Sequence, residues 1–300
     1  SSTRQGPVAD GTDNPGGESH PKIRMVCSDI DGTLLRSDHN VSTETIAAVV
    51  AARRSGVRVV LTSARPPRMV KHLYEALGLT TLQINYNGAV ICDPYGENKT
   101  FYHLGLEPEL CQAVVAFTRE HSPKVALSFE VLDTWHSETD KPEGLPEEAL
   151  KNFCPTRVGP LDECLQEPVT KMMLFGDPAQ MKLLRKDLLE NFSKRIAVAR
   201  NRPYMMQIIH PDVDKGRAIR RVAEHYDIPR EQVMAVGDES NDVGMLEWAG
   251  IGVAVNNATL PARAAADVIV SSNDENGVAE AIRKYVVDGD PPPSSSGGAG

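Results

Sequence analysis

Short apolar runs that each end in a polar loop, with a helical pattern after the loop, recur at both ends of this 300-residue chain. Residues 23–28 precede the acidic segment 29–33, and residues 57–61, a mostly β-branched run without alternation, precede a polar turn. Near the other end, residues 233–236 precede the polar segment 237–242. Such runs are typical of strands buried on both faces of a parallel sheet. Their alternation with helices predicts an α/β fold, a doubly wound parallel sheet with right-handed crossovers.

The middle of the chain, about 105–206, follows a less regular pattern that is rich in proline. It contains two helical patterns, at 107–121 and 178–192, and strand-like runs that include 169–175. We therefore expect an α+β domain here, inserted into the sheet of the first domain.

The remaining boundaries follow from this insertion and from composition. The core is expected to be discontinuous, at 22–104 and 207–288, on either side of the inserted domain at 105–206. Residues 1–21 and 289–300 contain little apolar sequence and much Gly, Ser, Pro and Asp, so we expect a disordered leader and tail.

Composition argues against several classes of function and location. The net charge of −9 argues against a nucleic-acid binder with a basic surface, and no apolar run approaches the roughly 20 residues of a membrane-spanning helix. Five cysteines without a CxxC pair favour free thiols in a reducing compartment. We expect a soluble intracellular protein, cytoplasmic or organellar, because a chain that starts at Ser1 is compatible with removal of a targeting peptide. Monomer and homodimer both stay open.

Two acidic clusters follow predicted strands. Asp29 and Asp31 come after the first run, and Asp238 and Asp242 come after the run at 233–236. Ligands of open α/β sheets bind beyond the carboxyl ends of the strands, and Mg²⁺ prefers oxygen ligands. Paired carboxylates can also supply a nucleophile and a proton donor. The predicted Mg²⁺ ligands are Asp29, Asp31 (through its backbone carbonyl oxygen), Asp238 and Asp242. The alternatives are solvated acidic loops and a helix cap.

Groups that favour anions are predicted beside these carboxylates. Lys215 precedes Gly216 at a helix start, where backbone N–H groups also attract anions. Thr62 and Ser63 end the second predicted strand and could donate hydrogen bonds to a phosphoryl oxygen. A solvated lysine and simple turns at Thr62, Ser63 and Asn87-Gly88 stay open as alternatives.

Taken in order, these clusters resemble the motifs of the haloacid dehalogenase superfamily of phosphohydrolases. The similarity is greatest to its Cof-like branch (type IIB), which carries a large cap between the second and third motifs. The four similar strings are DIDGT at 29–33, TSAR at 62–65, DKG at 214–216 and GDESND at 237–242. Asn87-Gly88-Ala89, Asn257-Ala258 and residues 273–279 also resemble this branch, and the similarity spans about 22–286.

The resemblance implies a Mg²⁺-dependent phosphatase that acts on a small metabolite, such as a sugar phosphate or a phosphate of flavin or pyridoxal pathways. Asp29 would form an aspartyl-phosphate, and Asp31 would protonate the leaving oxygen and then activate water. The implied phosphate and substrate contacts are Thr62, Ser63, Arg65, Asn87, Gly88, Lys215 and Asn241, of which Thr62 and Lys215 are also assigned to catalysis. Independently of the resemblance, His136 and Arg202 are possible substrate contacts in the cap, with ordinary surface roles as the favoured alternative.

The chain departs from the family pattern at a few positions. Ser63, Glu239 and Asn256 stand where the family often has glycine, which concerns substrate choice more than chemistry. Two alternatives stay open: a phosphosugar mutase, which would return the phosphoryl group, and a non-catalytic regulatory protein that binds a phosphate ligand.

Overall fold

The computed structural model describes residues 22–96, 100–143 and 145–290. The predicted leader and residues 291–300 of the predicted tail lie outside this part of the chain. The strands are β1 (Met25–Asp29), β2 (Arg58–Thr62), β3 (Gln83–Asn85), β4 (Val90–Cys92), β5 (Thr100–His103), β6 (Ala126–Val131), β7 (Thr134–Ser137), β8 (Arg157–Val158), β9 (Lys171–Phe175), β10 (Ala197–Arg202), β11 (Met205–Ile209), β12 (Val233–Gly237), β13 (Ile251–Val255) and β14 (Val268–Val270). The α-helices are α1 (Thr43–Arg54), α2 (Lys71–Leu77), α3 (Pro108–His121), α4 (Glu147–Lys151), α5 (Pro178–Phe192), α6 (Lys215–His225), α7 (Val243–Trp248), α8 (Leu260–Ala265) and α9 (Gly277–Ile282).

The first sheet has eight strands in the order β14-β13-β12-β1-β2-β3-β4-β5. The strands from β14 to β3 are parallel, and β4 and β5 extend the sheet as an antiparallel edge. The chain leaves the central strand β1 first toward β2 and β3 and later returns to β12, β13 and β14 on its other side. This order confirms the predicted doubly wound α/β fold, and the antiparallel edge is an addition to it.

Helix ends in this first unit follow local chemistry. The Ser42 hydroxyl accepts a hydrogen bond from the backbone N–H of Thr45 and so caps α1. The sequence predicts one helix from Pro66-Pro67 to Leu77, whereas the structure has a 3₁₀ turn, Pro67–Met69, before α2. α2 begins at Lys71 and ends at Gly78 in the left-handed conformation.

The second sheet has six strands in the order β10-β11-β9-β6-β7-β8. Its pairs are antiparallel except for β7 and β8. α3 and α5 pack on one face, where Val114 and Leu188 join Met172 and Leu174 of β9 in an apolar cluster. Because side chains alternate along a strand, Lys171 and Met173 point to the opposite face.

The second sheet extends past the predicted boundary at 206/207. β11 continues to Ile209, and Ile208 still pairs with Met172. The predicted boundary thus falls inside β11, at Gln207, where a polar residue interrupts the apolar pattern before Ile208 and Ile209. We propose that the inserted domain spans 105–209 and that the core resumes at 210.

Two further findings bear on the expectations from composition. Within 22–96, 100–143 and 145–290, no helix combines the length and apolar character needed to cross a bilayer. Cys27, Cys92 and Cys111 are buried free thiols, and Cys154 is an exposed one.

Candidate active site

The carboxyl ends of β1 and β12 bring three acidic side chains together. β1 pairs in parallel with β2 and β12, so Asp29, its last residue, lies beside Thr62 and close to the segment after β12. Asp29, Asp238 and Asp242 are buried, and oxygen atoms of their carboxylates lie within 4.8 Å of one another. Two acidic clusters that are about 200 residues apart in sequence thus meet at one edge of the sheet.

Lys215 compensates part of this negative charge. Its Nζ donates to Asp29 Oδ1 at 2.5 Å and to Asp242 Oδ1 at 2.6 Å, and its side chain is fully buried. Burial alone would lower the pKa of this lysine, but the two carboxylates outweigh burial and hold the pKa of Lys215 above its ordinary value. Lys215 is therefore an ammonium at neutral pH, and it fixes the orientation of the Asp29 carboxylate.

Asp242 connects Lys215 to the loop after β12. Its Oδ2 accepts hydrogen bonds from the backbone N–H groups of Asp238 at 2.9 Å and Glu239 at 3.0 Å, while its Oδ1 accepts from Lys215. Both carboxylate oxygens of Asp242 are therefore engaged. Asp29 and Asp238 have more acceptor capacity left for a ligand.

Gly32 and Thr33 hold Asp238 from the other side. The Thr33 hydroxyl donates to Asp238 Oδ1 at 2.6 Å. Gly32 has a φ of +78°, and a Cβ at this position would lie 2.4 Å from Asp238 Oδ2, so a side chain there would displace the carboxylate. Asn257 Nδ2 donates to the carbonyl oxygen of Gly32 at 2.8 Å and steadies the same turn.

The charge of the site fits a divalent cation. Burial raises the pKa of Asp29, with Lys215 opposing and Asp242 adding to the rise. Burial also raises the pKa of Asp238 to about 6, against the Thr33 hydrogen bond, which lowers it. Three carboxylates face one ammonium, which leaves an excess of buried negative charge. Oxygen donors with excess negative charge suit Mg²⁺, whose own charge would lower both pKa values.

Thr62 and Ser63 lie fully buried at the end of β2. The Thr62 hydroxyl has no hydrogen-bond partner among the described residues, whereas Ser63 Oγ accepts from the backbone N–H of Arg65 at 3.0 Å. An unpartnered buried hydroxyl costs free energy unless a ligand or water pairs with it. The Thr62 hydroxyl is therefore positioned to donate to an oxygen atom bound beside Asp29.

Asp31 and Arg65 differ from the expected arrangement. The Asp31 carboxylate is half exposed and binds Arg65 in a two-point contact, at 2.8 Å from Nε and 2.5 Å from the terminal nitrogen. Its carboxylate is not in the group of three converging acids that the described residues form. The chain turns after Ile30 and directs Asp31 toward the guanidinium, which matches carboxylate geometry. A metal contact by Asp31 would thus have to come from its backbone carbonyl oxygen.

A cavity of about 510 Å³ lies between this edge of the first sheet and the open face of the second. Asn241 closes one side, and its Nδ2 donates to Asn87 Oδ1 at 2.9 Å. The lining residues are Ala64, Tyr86, Asn87, Lys171, Ala199, Gln207, Ile209, Glu239, Ser240 and Asn241. The expected contacts Asn87 and Asn241 thus face the cavity.

The turn between β3 and β4 is made of residues with positive φ. Tyr86, Asn87 and Gly88 have φ values of 50°, 57° and 103°, a strained conformation for the first two. A Cβ on Gly88 would lie 2.6 Å from the carbonyl oxygen of Asp214. Gly88 therefore lets the turn pack on the start of α6.

His136 and Arg202 do not line the cavity beside Asp29. His136 lines a second cavity of about 370 Å³, and Arg202 lines a third of about 280 Å³. Ordinary surface roles are the favoured interpretation of both residues from the sequence, and neither lines the cavity next to the acidic site.

The family model of haloacid dehalogenase-like hydrolases matches residues 26–282, a range that includes all of the site residues above. The chain belongs to this family. YitU of Bacillus subtilis, a 5-amino-6-(5-phospho-D-ribitylamino)uracil phosphatase, is 28% identical over 266 residues, which are 88% of this chain and 98% of the relative.

Solved structures of the family share the fold. TM0651 from Thermotoga maritima superposes with a TM-score of 0.79 at 27% identity, over 87% of this chain and 97% of that one. BT4131, a subclass IIB sugar phosphatase, gives a TM-score of 0.69 at 25% identity, over 88% of this chain and 99% of that one. The resemblance to the Cof-like branch is confirmed, and the chain is a phosphoric monoester hydrolase of the haloacid dehalogenase-like family.

Sequence reasoning missed several residues of this haloacid dehalogenase-like site. Thr33 is within a motif, but only the fold shows its hydroxyl on Asp238. Tyr86 precedes the recognised Asn87-Gly88 and would have been found by extending that turn. For Lys171 the sequence offers one weak signal of a functional role, a charged residue inside the predicted strand 169–175. For Gln207 it offers no such signal.

Proposed function

We propose that this hydrolase removes the phosphoryl group of a small phosphorylated metabolite in a Mg²⁺-dependent reaction through an aspartyl-phosphate on Asp29. The observation that carries the proposal is the buried Asp29 carboxylate, held by Lys215 at 2.5 Å beside two further carboxylates. A carboxylate fixed in this way, with charge compensation at hand, is suited to nucleophilic attack on phosphorus.

The cation would be held by Asp29, Asp238 and the backbone carbonyl oxygen of Asp31, with Asp242 behind them. Bound Mg²⁺ supplies charge neutralisation for the phosphoryl oxygens and keeps Asp29 ionised. Thr33 and Gly32 keep the Asp238 carboxylate in place for this role.

In the first half of the reaction Asp29 attacks phosphorus and the ester oxygen leaves. Lys215 occupies Oδ1 of Asp29, and Oδ2 carries no hydrogen bond within the described part of the chain, so Oδ2 attacks phosphorus. The bond from phosphorus to the ester oxygen breaks, and Asp31, once it has left Arg65 and taken a proton from solvent, gives that proton to the ester oxygen. The Thr62 hydroxyl and the Lys215 ammonium hold the phosphoryl oxygens.

In the second half of the reaction the roles reverse. Asp31 takes a proton from water, the water oxygen attacks phosphorus, and the bond from phosphorus to Asp29 breaks to release inorganic phosphate. Asp31 must leave Arg65 to do this, which its half-exposed position allows.

The cavity of about 510 Å³ next to the acidic site has a size suited to a small leaving group. Lys171, Gln207 and Ile209 of the second sheet line it, together with Ala64 and Asn241, the chain neighbours of Ser63 and Asp242. YitU is named as a phosphatase of 5-amino-6-(5-phospho-D-ribitylamino)uracil and BT4131 as a sugar phosphatase, and both names support a phosphorylated sugar or sugar-alcohol derivative as the substrate.

The test is release of inorganic phosphate from an aryl phosphate, with Mg²⁺ and with excess chelator. We expect turnover with Mg²⁺, none with chelator, and none in Asp29→Asn. Asp162→Asn, which changes an exposed carboxylate, is the matched control and should keep full activity. Undiminished turnover by Asp29→Asn would refute the nucleophile assignment, and a phosphoryl group that stays on organic product would favour a mutase.

A further inference from the structure

Lys171 lies at the roof of the cavity and has an unusual environment. It begins β9, pairs in register with Glu130 on β6, and is only 9% exposed. Both residues are on the face of the second sheet that is not covered by α3 and α5, the face that meets the first sheet.

The Lys171 ammonium has no hydrogen bond or ion pair within residues 22–96, 100–143 and 145–290. Its described contact is the ring of Tyr86, with Nζ 5.1 Å from the ring centroid. Burial lowers the pKa of Lys171, and the nearby Glu130 opposes this. The Lys171 ammonium lies at the cavity wall without an acceptor from these residues, so it can donate to an oxygen atom of a ligand in the cavity.

Glu130 is already committed to other partners. Its two carboxylate oxygens accept from Arg68 at 2.8 and 3.1 Å, and the Tyr86 hydroxyl donates to it at 3.0 Å. Arg68 comes from the first sheet's side, so this contact also fixes the second sheet above the site. Glu130 therefore does not neutralise Lys171, whose charge stays available toward the cavity.

The other charged group on the cavity wall is a carboxylate. Glu239 lies at the exposed rim, next to Ser240 and Asn241. A negatively charged leaving group would be repelled at this rim and attracted at Lys171, so the two residues together define where its charge can lie.

We propose that Lys171 is a specificity-determining residue that binds an oxyanion on the leaving group, so that the substrates are phosphomonoesters with a second acidic group. The inference deepens the proposed phosphatase function and rests on it. A carboxylate and a second phosphate share the required chemistry, and the two are separated by experiment.

The experiment compares substrate pairs of equal length that differ in one end group. The pairs are phosphoglycerate and glycerol phosphate, phosphoerythronate and erythritol phosphate, and phosphogluconate and sorbitol phosphate, each with phosphate at the end opposite the carboxylate, together with the polyol bisphosphates. For the length that fits, kcat/KM should favour an oxyanion member over its neutral partner by about 10- to 100-fold, the worth of one charge-assisted hydrogen bond.

Lys171→Met should bring that ratio to within about twofold, since the methionine fills the space but carries no charge, while Lys171→Arg should keep a preference. Lys182→Met removes an exposed lysine of α5 and should leave the ratio as in the wild type. Because the ratio compares two substrates in one variant, a general loss of activity cancels out. Thermal unfolding verifies that each variant is folded.

Calorimetric binding of the same pairs to Asp29→Asn, with and without Lys171→Met, separates this inference from the proposed function. A preference for the oxyanion that depends on Lys171 supports the inference even if the wild type fails to release phosphate, which would refute only the function. Equal binding of both members at every length, or a preference that survives in Lys171→Met, overturns the inference.

Discussion

Replacement of Lys215 by methionine removes the described ammonium that contacts the acidic cluster and leaves a side chain of similar length. The Asp29 and Asp242 carboxylates then lose contacts of 2.5 and 2.6 Å. Neither carboxylate can recover hydration, because both are buried. Breaking a buried ion pair by removing one partner is destabilising for this reason.

The loss of folding free energy in Lys215→Met has an upper limit, because a carboxylate that loses its ammonium partner can bind a proton instead. At about pH 7, protonating an aspartate of ordinary pKa costs about 4 kcal/mol. Burial already raises the pKa of Asp29 with Lys215 present, so Asp29 should lose only part of this amount. Asp242 retains hydrogen bonds from the N–H groups of Asp238 and Glu239 and should lose less. We expect a total loss of about 3 kcal/mol, and a fall in Tm of about 6 °C or more.

The loss should shrink as the pH falls. The folded-state pKa values of the orphaned carboxyls lie above their unfolded values, so the variant is least penalised at low pH and loses stability as pH rises through the folded pKa. At about pH 5 the ceiling per carboxyl falls to about 1.5 kcal/mol.

Urea denaturation followed by circular dichroism, in excess chelator at about pH 5 and about pH 7, measures both values. Lys182→Met is the control for loss of an exposed lysine. If Lys215→Met lowers the free energy of unfolding by under about 1 kcal/mol at neutral pH, or by the same amount at both pH values, the buried carboxylates do not depend on the charge of Lys215.

Three other perturbations test separate parts of the site. Gly32→Ala should lower the free energy of unfolding by about 3 kcal/mol and remove most activity, because a Cβ would lie 2.4 Å from Asp238 Oδ2 at a φ of +78°. Urea denaturation measures the first effect and phosphate release the second. Arg68→Met should cost about 3 kcal/mol by leaving Glu130 buried without its cation, and Glu130→Gln in the same chain should recover part of the loss. Since burial raises the pKa of Asp29 and raises that of Asp238 to about 6, the rise in Tm caused by subsaturating Mg²⁺ should grow from pH 6 to pH 8.

Matched controls exist for these variants. Gly56 also has a positive φ, +81°, but none of the described atoms would lie within 4 Å of a Cβ at that position, so Gly56→Ala should lose only about 1 kcal/mol. Arg220 pairs with Glu224 on the surface, and Arg220→Met should cost under about 0.5 kcal/mol. Equal effects in control and test variants, or Mg²⁺ stabilisation that does not change with pH, would contradict the corresponding prediction.

Much of the fold follows from local patterns. The β-branched run that becomes β2 lacks alternation because the strand is buried on both faces, and the helical patterns at 107–121 and 178–192 correspond closely to α3 and α5. The antiparallel strands β4 and β5 were not predicted, because a turn at Asn87-Gly88 does not say which edge the returning chain will join.

The acidic residues of the site were identifiable from their positions after strands, but side-chain partners were not. The spacing of Asp29 and Asp31 does not reveal that the turn after Ile30 places the Asp31 carboxylate against the Arg65 guanidinium. The position of Lys171 above the cavity depends on how the second sheet sits on the first, through contacts such as Arg68 with Glu130. Such contacts join residues that are distant in sequence and have no periodic pattern.

The central claim is that Asp29 carries the phosphoryl group during turnover. Rapid acid quench of the wild type with substrate and Mg²⁺, followed by borohydride reduction and peptide mass spectrometry, tests it directly, because an acyl phosphate is reduced to an alcohol. The account predicts conversion of Asp29 to homoserine, dependent on substrate. Steady release of phosphate with no modification at Asp29, or with modification at another residue, would contradict it.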